Sequence, residues 1–130
     1  MTDMGRMTNM GPTLHAAVAL FNQGRFFDAH EALEDVWRPA RGRRRHLLQA
    51  LIQVAVGLHH HSRGNLLGAR SLLARGGNTL AQYPATYSGL RLAPLRTSIA
   101  AWREALAAGH PPPSLPRLRW VRRVLESGPQ

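Results

Sequence analysis

The stretch "LLQALIQVAVGL" (residues 47–58) decides the fold, because it is apolar on nearly every side. At helical spacing its two glutamines, Gln49 and Gln53, share one narrow stripe, and the other directions are apolar. A helix of this kind is stable when other helices surround it. The run is well short of the roughly 20 residues that span a bilayer. We therefore predict that residues 44–62 form the central helix of a soluble all-α bundle.

Shorter amphipathic helices are predicted on both sides of the central one. Their ranges, in chain order, are residues 14–23, 26–37, 66–82 and 95–108. Gly24 should end the first helix and Asn65 should cap the fourth, since glycine suits left-handed C-caps and asparagine suits N-caps. No segment alternates between polar and apolar residues as a strand would. The sequence leaves open whether the tail adds a short last helix. The expected fold class is therefore all-α, a single-domain bundle of five to six helices.

The chain divides into three expected segments. Residues 1–12 show no hydrophobic periodicity and are expected to be a flexible leader, whereas residues 13–109 should form the helical bundle domain. Residues 110–130 begin with "HPPPSLP" and are expected to form a Pro-rich strap and a basic C-terminal tail. Gly76 and Gly77 lie within the fourth predicted helix. Each costs about 1 kcal/mol there relative to alanine, so the pair indicates a kink or a close helix crossing.

The positively charged residues of the chain are all arginines, and lysine is absent. All 17 Lys+Arg residues are arginines, against 7 acidic residues, and the formal charge is +10. Guanidinium groups pair well with phosphate, which favours a polyanion-binding surface. The base composition of the genome would explain the same excess, since most arginines are scattered outside "RGRRR" (41–45) and "RLRWVRR" (117–123). The arginines named for such a surface are Arg41, Arg43, Arg44, Arg45, Arg119, Arg122 and Arg123. Nucleic acid is therefore an alternative partner and not the favoured one.

The absence of cysteine narrows the chemistry of the chain. Disulfides, thiolate metal sites and cysteine nucleophiles are excluded. A reducing compartment fits this composition, so we expect a cytoplasmic protein. Neither a signal peptide nor membrane association is expected, because no apolar run has the required length and flanking residues. Motifs for a phosphate-cradling glycine loop or a serine nucleophile do not occur either.

A second informative stretch is "FFDAHEALEDVW" (26–37), which holds four of the seven acidic residues. At 100° per residue one stripe of this helix is mainly apolar. The stripe consists of Phe26, His30, Leu33 and Trp37, with Phe27 and Glu34 at its edge. The opposite face carries Asp28, Glu31 and Asp35. We expect that face to be solvated and to pair with arginines of the 41–45 loop or of the tail, at about 0 to 1 kcal/mol per pair.

His30 and Glu34 lie four residues apart on or beside the apolar stripe, and a buried polar group without a partner is costly. On the central helix, Gln49, Gln53 and His60 fall within about 40° of one another and are the expected partners. The sequence therefore predicts a buried polar cluster between the second and third helices. The candidate binding residues are His30, Glu31, Glu34, Trp37, Gln49, Gln53 and His60.

Three interpretations of this cluster stay open. A hydrogen-bond network that sets the register of the two helices needs no ligand. A pocket for a small molecule or a peptide would use the same groups together with Trp37 and Phe26. The third interpretation is a metal-dependent enzyme with a divalent metal as cofactor and Glu31 as the base. No strong metal motif is present, however. The metal candidates are His30, Glu34 and His60.

The "HHH" run (59–61) cannot chelate a single ion, because successive helical residues point about 100° apart. His60 alone is expected to face the cluster, while His59 and His61 should be exposed or lie at the helix end. The favoured function is a non-catalytic binding or scaffold module, whose partner is another protein or a second copy of the chain. The metal-dependent enzyme and the polyanion binder are the alternatives.

Three ordered blocks resemble a family of small helical proteins from bacteria and archaea, the domain of unknown function 309. The blocks are "FNQGRFFDAHEALEDVW" (21–37), "LLQALIQVAVGLHH" (47–60) and "RGNLLGARSLL" (63–73). The resemblance covers about residues 20–92 and implies an all-α bundle, with no activity, substrate or cofactor to carry over. Positions that match recurring residues of the family are His30, Glu31, Leu33, Glu34, Trp37, Gln53, His60, Gly64 and Asn65. The Gly76-Gly77 pair departs from the family pattern and leaves the straightness of the fourth helix open.

Overall fold

A computed structural model describes residues 13–122 of the 130-residue chain. In chain order the elements are α1 (Thr13–Asn22), α2 (Phe26–Trp37), α3 (Gly42–Ser62), α4 (Leu66–Leu80), β1 (Thr86–Tyr87), β2 (Leu90–Arg91) and α5 (Leu92–Ala108). The all-α, single-domain prediction is confirmed, and each predicted helix agrees with the observed one to within three residues at either end. The leader assigned to residues 1–12 and the end of the tail lie outside the described residues.

The helix α3 is the central element, as its apolar sequence predicts. It packs against α2 and α4 along its length, and the ring of His61 in its last turn meets that of Trp102 in α5 at 4.9 Å. Its buried residues are Leu47, Leu48, Ala50, Leu51, Val54, Ala55, Gly57 and Leu58. Each buried leucine contributes about 1.5 to 3 kcal/mol, so this helix carries much of the core. Between residues 13 and 122 no helix combines the length and apolarity that a membrane crossing requires.

The two turn residues singled out in the sequence end and begin helices as predicted. Gly24 follows α1 with φ of +79°, a left-handed conformation that glycine adopts without strain. The side chain of Asn65 accepts a hydrogen bond from the backbone N–H of Gly68 at 3.0 Å, which caps the start of α4.

The two adjacent glycines of α4 allow a close helix crossing, and the helix runs unbroken through both. A Cβ on Gly76 would lie 2.8 Å from Cγ2 of Val54 and 2.9 Å from the carbonyl oxygen of Ala50, both in α3. A Cβ on Gly77 would lie 3.2 Å from Cγ2 of Ile99 in α5. The predicted close crossing is therefore confirmed, because any side chain at Gly76 would push α4 away from α3.

Replacement of Gly76 by alanine is expected to lower the free energy of unfolding by about 1 to 2 kcal/mol. Overpacking costs up to about 3 kcal/mol, and the better helix propensity of alanine returns about 1 kcal/mol. Gly77→Ala is the matched control, since the nearest atoms there belong to the side chains of Arg103 and Ile99, which can shift. Urea unfolding followed by circular dichroism measures both variants. An equal loss of stability in both would contradict the contact assigned to Gly76.

A β-hairpin connects α4 to α5, where the sequence predicts only a loop. Its strands pair antiparallel, with Thr86 opposite Arg91. The turn residues Ser88 and Gly89 have φ of 54° and 83°, which suits the tight turn with two positive φ angles that hairpins prefer. The expectation of no strand is therefore corrected. Strands of two residues are too short to show alternating polarity.

Residues 110–116, expected from their prolines to be an extended strap, contain no helix or strand. Nε1 of Trp102 donates a hydrogen bond to the carbonyl oxygen of Ser114 at 2.9 Å. Further along, Nδ2 of Asn22 donates to the carbonyl oxygen of Leu118 at 2.9 Å, and Oδ1 of Asn22 accepts from the N–H of Leu118 at 2.7 Å. These bonds hold the tail against α5 and α1 and direct it towards the hairpin.

Candidate functional site

His30 and Glu34 lie side by side on α2. Nε2 of His30 is 3.3 Å from Oε2 of Glu34, and its Nδ1 is 3.1 Å from the carbonyl oxygen of Phe27. Both ring nitrogens therefore face oxygen acceptors, and the doubly protonated ring would donate to both. The side chains keep 19% and 38% of their exposure, so the pair lies at the surface of the bundle and not inside it.

The predicted buried polar cluster is wrong. Among the residues that the structure describes, no polar or charged residue is buried. Gln49 and Glu31 are exposed, and Gln53 is partly exposed. Nδ1 of His60 lies 3.2 Å from Nδ2 of Asn65, so this histidine bonds to the cap of α4. The candidate binding residues do not form the single cluster that the sequence predicts.

The orientation of α3 about its own axis explains why the predicted cluster does not form. The ring of His59 lies 5.3 Å from that of Phe27, which in turn lies 5.2 Å from the ring of His30. His59 therefore contacts α2, whereas the sequence assigned that position to His60. Because successive helical residues point about 100° apart, an error of one position moves a side chain to another neighbour.

The three metal candidates are not brought together. His30 and Glu34 are neighbours, but His60 bonds to Asn65 at the turn between α3 and α4. In the described part of the chain, no three His, Asp or Glu side chains have an arrangement that could hold a metal ion. The geometry of these residues therefore gives no support to the metal-dependent enzyme in which Glu31 is the base.

The ring of Trp37 is covered by Arg45, whose guanidinium carbon lies 3.8 Å from the ring centroid. Nη1 of Arg45 also donates to the carbonyl oxygens of Arg38 and Ala40, at 3.2 and 3.4 Å. Nε1 of Trp37 is buried and has no hydrogen-bond partner among the described atoms. Arg45, which the sequence assigned to a polyanion surface, therefore closes the loop between α2 and α3.

The acidic face of α2 pairs with arginines close to it in the chain. Nη2 of Arg25 lies 2.8 Å from Oδ2 of Asp28, and Nη1 of Arg38 lies 2.6 Å from Oδ1 of Asp35. These exposed pairs contribute about 0 to 1 kcal/mol each. The expected pairing with the 41–45 loop is wrong for the ion pairs described. Because Asp28 and Asp35 pair with Arg25 and Arg38, these carboxylates do not neutralise the arginines of the 41–45 loop.

Arginine-bearing segments from three parts of the chain meet at the hairpin. Nε of Arg44, in the first turn of α3, donates to Oγ of Ser88 at 3.2 Å. On the tail side, the N–H of Val121 donates to the carbonyl oxygen of Gly89 at 2.8 Å. The hairpin therefore joins the start of α3 to the basic tail, although the two are more than 70 residues apart in the chain.

A shallow depression of about 740 Å³ lies between the hairpin and the tail. Its basic lining residues are Arg91, Arg119 and Arg122, all three of them exposed, and its described lining contains no carboxylate. The N–H of Arg91 donates to the carbonyl oxygen of Arg119 at 2.9 Å, which sets the spacing of the two backbones. This depression thus presents positive charge from two segments.

Arg43 extends this basic region along the start of α3. Its guanidinium carbon lies 4.9 Å from the ring centroid of Tyr83 and 5.4 Å from that of Tyr87. The hydroxyl of Tyr83 donates to the carbonyl oxygen of Arg43 at 2.6 Å. Burial raises the pKa of Tyr83, an effect that the nearby Arg43 partly offsets, so the hydroxyl stays protonated and able to donate. Arg43 is held in place yet remains exposed.

We call the resulting region the arginine surface. It consists of Arg43, Arg44, Arg91, Arg119 and Arg122, together with Arg41, the exposed N-cap residue of α3, which lies two residues before Arg43. Sequence reasoning named five of these residues and missed Arg91, whose place depends on the hairpin. The Ser-Gly dipeptide at residues 88–89 is the signal for that turn. Arg123 lies outside the described residues.

The sequence of α1 to α3 and the first half of α4 matches a known family. That family is described as "Domain of unknown function (DUF309)", and the match covers residues 14–72. This segment is similar to a DUF309 domain. The resemblance of the three sequence blocks is thereby confirmed. The hairpin and the tail lie beyond the DUF309 match, so the family match covers only the α3 side of the arginine surface.

Two relatives of this chain are both described only as uncharacterized proteins. A Bacillus subtilis protein, "Uncharacterized protein YpuF", is 43% identical over 51 residues, which are 38% of this chain and 29% of that protein. An "Uncharacterized protein" of Aquifex aeolicus is 27% identical over 100 residues, which are 76% of this chain and 30% of that protein. The chain therefore spans less than a third of the length of either relative.

Proposed function

We propose that the chain is a non-catalytic binding module whose partner is nucleic acid, bound at the arginine surface. The observation that supports this function is the meeting of three arginine-bearing segments at one hairpin. None of the ion pairs described between residues 13 and 122 includes one of these arginines. Their positive charge is thus available to an anionic partner.

The chemistry of guanidinium suits a phosphate partner. Arginine presents paired N–H donors that match phosphate oxygens, and it keeps its charge at any physiological pH. The contacts of Arg43 with Tyr83 and of Arg44 with Ser88 restrict these side chains before a partner arrives. Less side-chain freedom is then lost on binding. A formal charge of +10 also speeds the approach of a polyanion.

A second candidate keeps a binding site on α2, for a protein or a small molecule. Its support is the partly exposed pair of His30 and Glu34 beside Phe27, whose side chain is 49% exposed. Of the residues named from sequence, this site would use His30 and Glu34, with His59 in the place assigned to His60. A partner whose binding is lost in His30→Ala but kept in arginine variants would favour this candidate over nucleic acid.

The triple variant Arg91→Gln, Arg119→Gln, Arg122→Gln is expected to bind a labelled DNA duplex at least about tenfold more weakly, because three phosphate contacts are lost. Fluorescence anisotropy at about 100 mM salt measures the affinity. The matched control is Arg63→Gln, Arg70→Gln, Arg75→Gln, which removes the same charge from exposed positions on and before α4. Equal losses in the two variants would show that net charge, and not this surface, determines binding. Circular dichroism checks that both variants fold.

A further inference from the structure

We infer that the nucleic acid bound at the arginine surface is a duplex, held through its phosphate backbones. This inference rests on the proposed function and names the class of ligand. Proteins that hold single strands combine a basic groove with exposed aromatic rings on which bases stack. The aromatic rings described at this surface belong to Tyr83, Tyr87 and Trp120, and each is already occupied by a neighbour.

The two tyrosines are covered by one of the arginines. Tyr83 is only 7% exposed, and its ring meets that of Tyr87 edge-on at 5.1 Å. The guanidinium of Arg43 lies over both rings, at 4.9 and 5.4 Å from their centroids. A base that stacked on Tyr87 from this side would have to displace Arg43. Stacking would therefore remove a cation from the phosphate-binding surface.

The ring of Trp120 is occupied by α1 and by the hairpin. The imidazole of His15 stacks on it with centroids 4.3 Å apart and planes inclined by 17°. The backbone of Gly89 lies against the ring, since a Cβ there would be 3.6 Å from Cε3 and Cζ3. The bridge between Leu90 and Trp120 fixes the backbone from which this ring extends. Trp120 is therefore part of the packing that holds the tail in place.

The exposed aromatic residue Phe27 lies at the opposite end of the bundle. Its side chain is 49% exposed and its ring packs on His59, near the end of α3. Arg43 is in the first turn of that helix, about 24 Å away at 1.5 Å per residue. Phe27 is therefore too distant to stack a base whose phosphates are bound at the arginine surface.

A duplex needs no stacking platform, because its bases are already paired and stacked on one another. It offers two rows of phosphates, which donors from several segments can contact without reading the bases. The arginine surface supplies such donors from the start of α3, from the hairpin and from the tail. DNA and RNA duplexes share this chemistry, and binding should depend little on sequence.

Anisotropy titrations of the full chain with four labelled probes test this inference. The probes are a DNA duplex of about 20 base pairs, an unrelated DNA duplex of equal length, an RNA duplex, and a single DNA strand that cannot fold on itself. We expect the duplexes to bind at least about tenfold more tightly than the single strand, and the two DNA duplexes to differ by less than about threefold. The DNA and RNA arms show which duplex is preferred.

The outcomes separate the ligand class from the function. Equal or tighter binding of the single strand would overturn the duplex inference and leave nucleic-acid binding standing. Binding to none of the four probes at low salt would overturn both, as would binding to anionic phospholipid vesicles alone. Tyr87→Leu provides a second measurement, since it removes a ring but no charge. Because Arg43 packs on this ring, a change in Arg43 should affect both forms alike, so we expect the ratio of duplex affinity to single-strand affinity to change less than about threefold.

Discussion

Raising the salt concentration from about 50 to about 200 mM is expected to weaken the binding of a DNA duplex about a thousandfold. Each arginine of the arginine surface that neutralises a phosphate releases condensed counterions, and that release becomes less favourable as salt rises. With six such contacts the logarithm of the binding constant should fall with a slope of about −5 against the logarithm of salt concentration. Anisotropy titrations over a salt series measure this slope.

The charge variants make the salt prediction specific to the surface. The variant lacking Arg91, Arg119 and Arg122 keeps three contacts, so its slope should fall to about half. The control lacking Arg63, Arg70 and Arg75 should keep the slope of the unmodified chain. If the affinity of the unmodified chain did not change with salt, the nucleic-acid proposal would be contradicted. The arginine surface would bind phosphates through ionic contacts, and salt weakens such contacts.

Replacement of Trp102 by alanine is expected to lower the free energy of unfolding by about 3 to 5 kcal/mol. The side chain is only 2% exposed and is among the largest in the core. It contacts the ring of His61 at the end of α3 and donates to the carbonyl oxygen of Ser114 in the strap. Its removal would leave a cavity between α3, α5 and the strap. The surrounding side chains are closely packed and would fill this cavity only in part.

Trp102→Phe separates the two contributions of this side chain. It retains most of the buried area and loses the hydrogen bond to Ser114, whose residue is exposed, so that water can replace the donor. The cost of the lost bond alone should be about 1 kcal/mol. Urea unfolding measures both variants. A loss below about 1 kcal/mol in Trp102→Ala would contradict the place assigned to this ring in the core.

The helices of this chain could be predicted because their signals are local. The apolar stretch at residues 47–58 indicates a surrounded helix, and Gly24 and Asn65 mark helix ends through their own backbone and side-chain chemistry. The pair Gly76-Gly77 is also a local signal. Because each glycine destabilises a helix, the pair indicates a position where another helix approaches closely. Each signal acts within a few residues of where it stands in the chain.

The site could be predicted only in part. His30 and Glu34 are neighbours because they are four residues apart on one helix, whatever surrounds that helix. Whether His59 or His60 contacts Phe27 depends on the rotation of α3 against α2, which the packing of both helices sets together. The polar character of Gln49 and Gln53 is no guide to burial either, because a partly exposed surface satisfies glutamine with water.

By itself, the sequence determined an all-α bundle, the ends of its helices and a strong excess of arginine. Only the tertiary structure decided that the first turn of α3 and the tail meet at the hairpin, through Arg44 and Ser88 and through Val121 and Gly89. The physical reason is the range of the interactions. Helix periodicity and capping act over one or two turns, whereas the arginine surface is made by hydrogen bonds between segments distant in the chain.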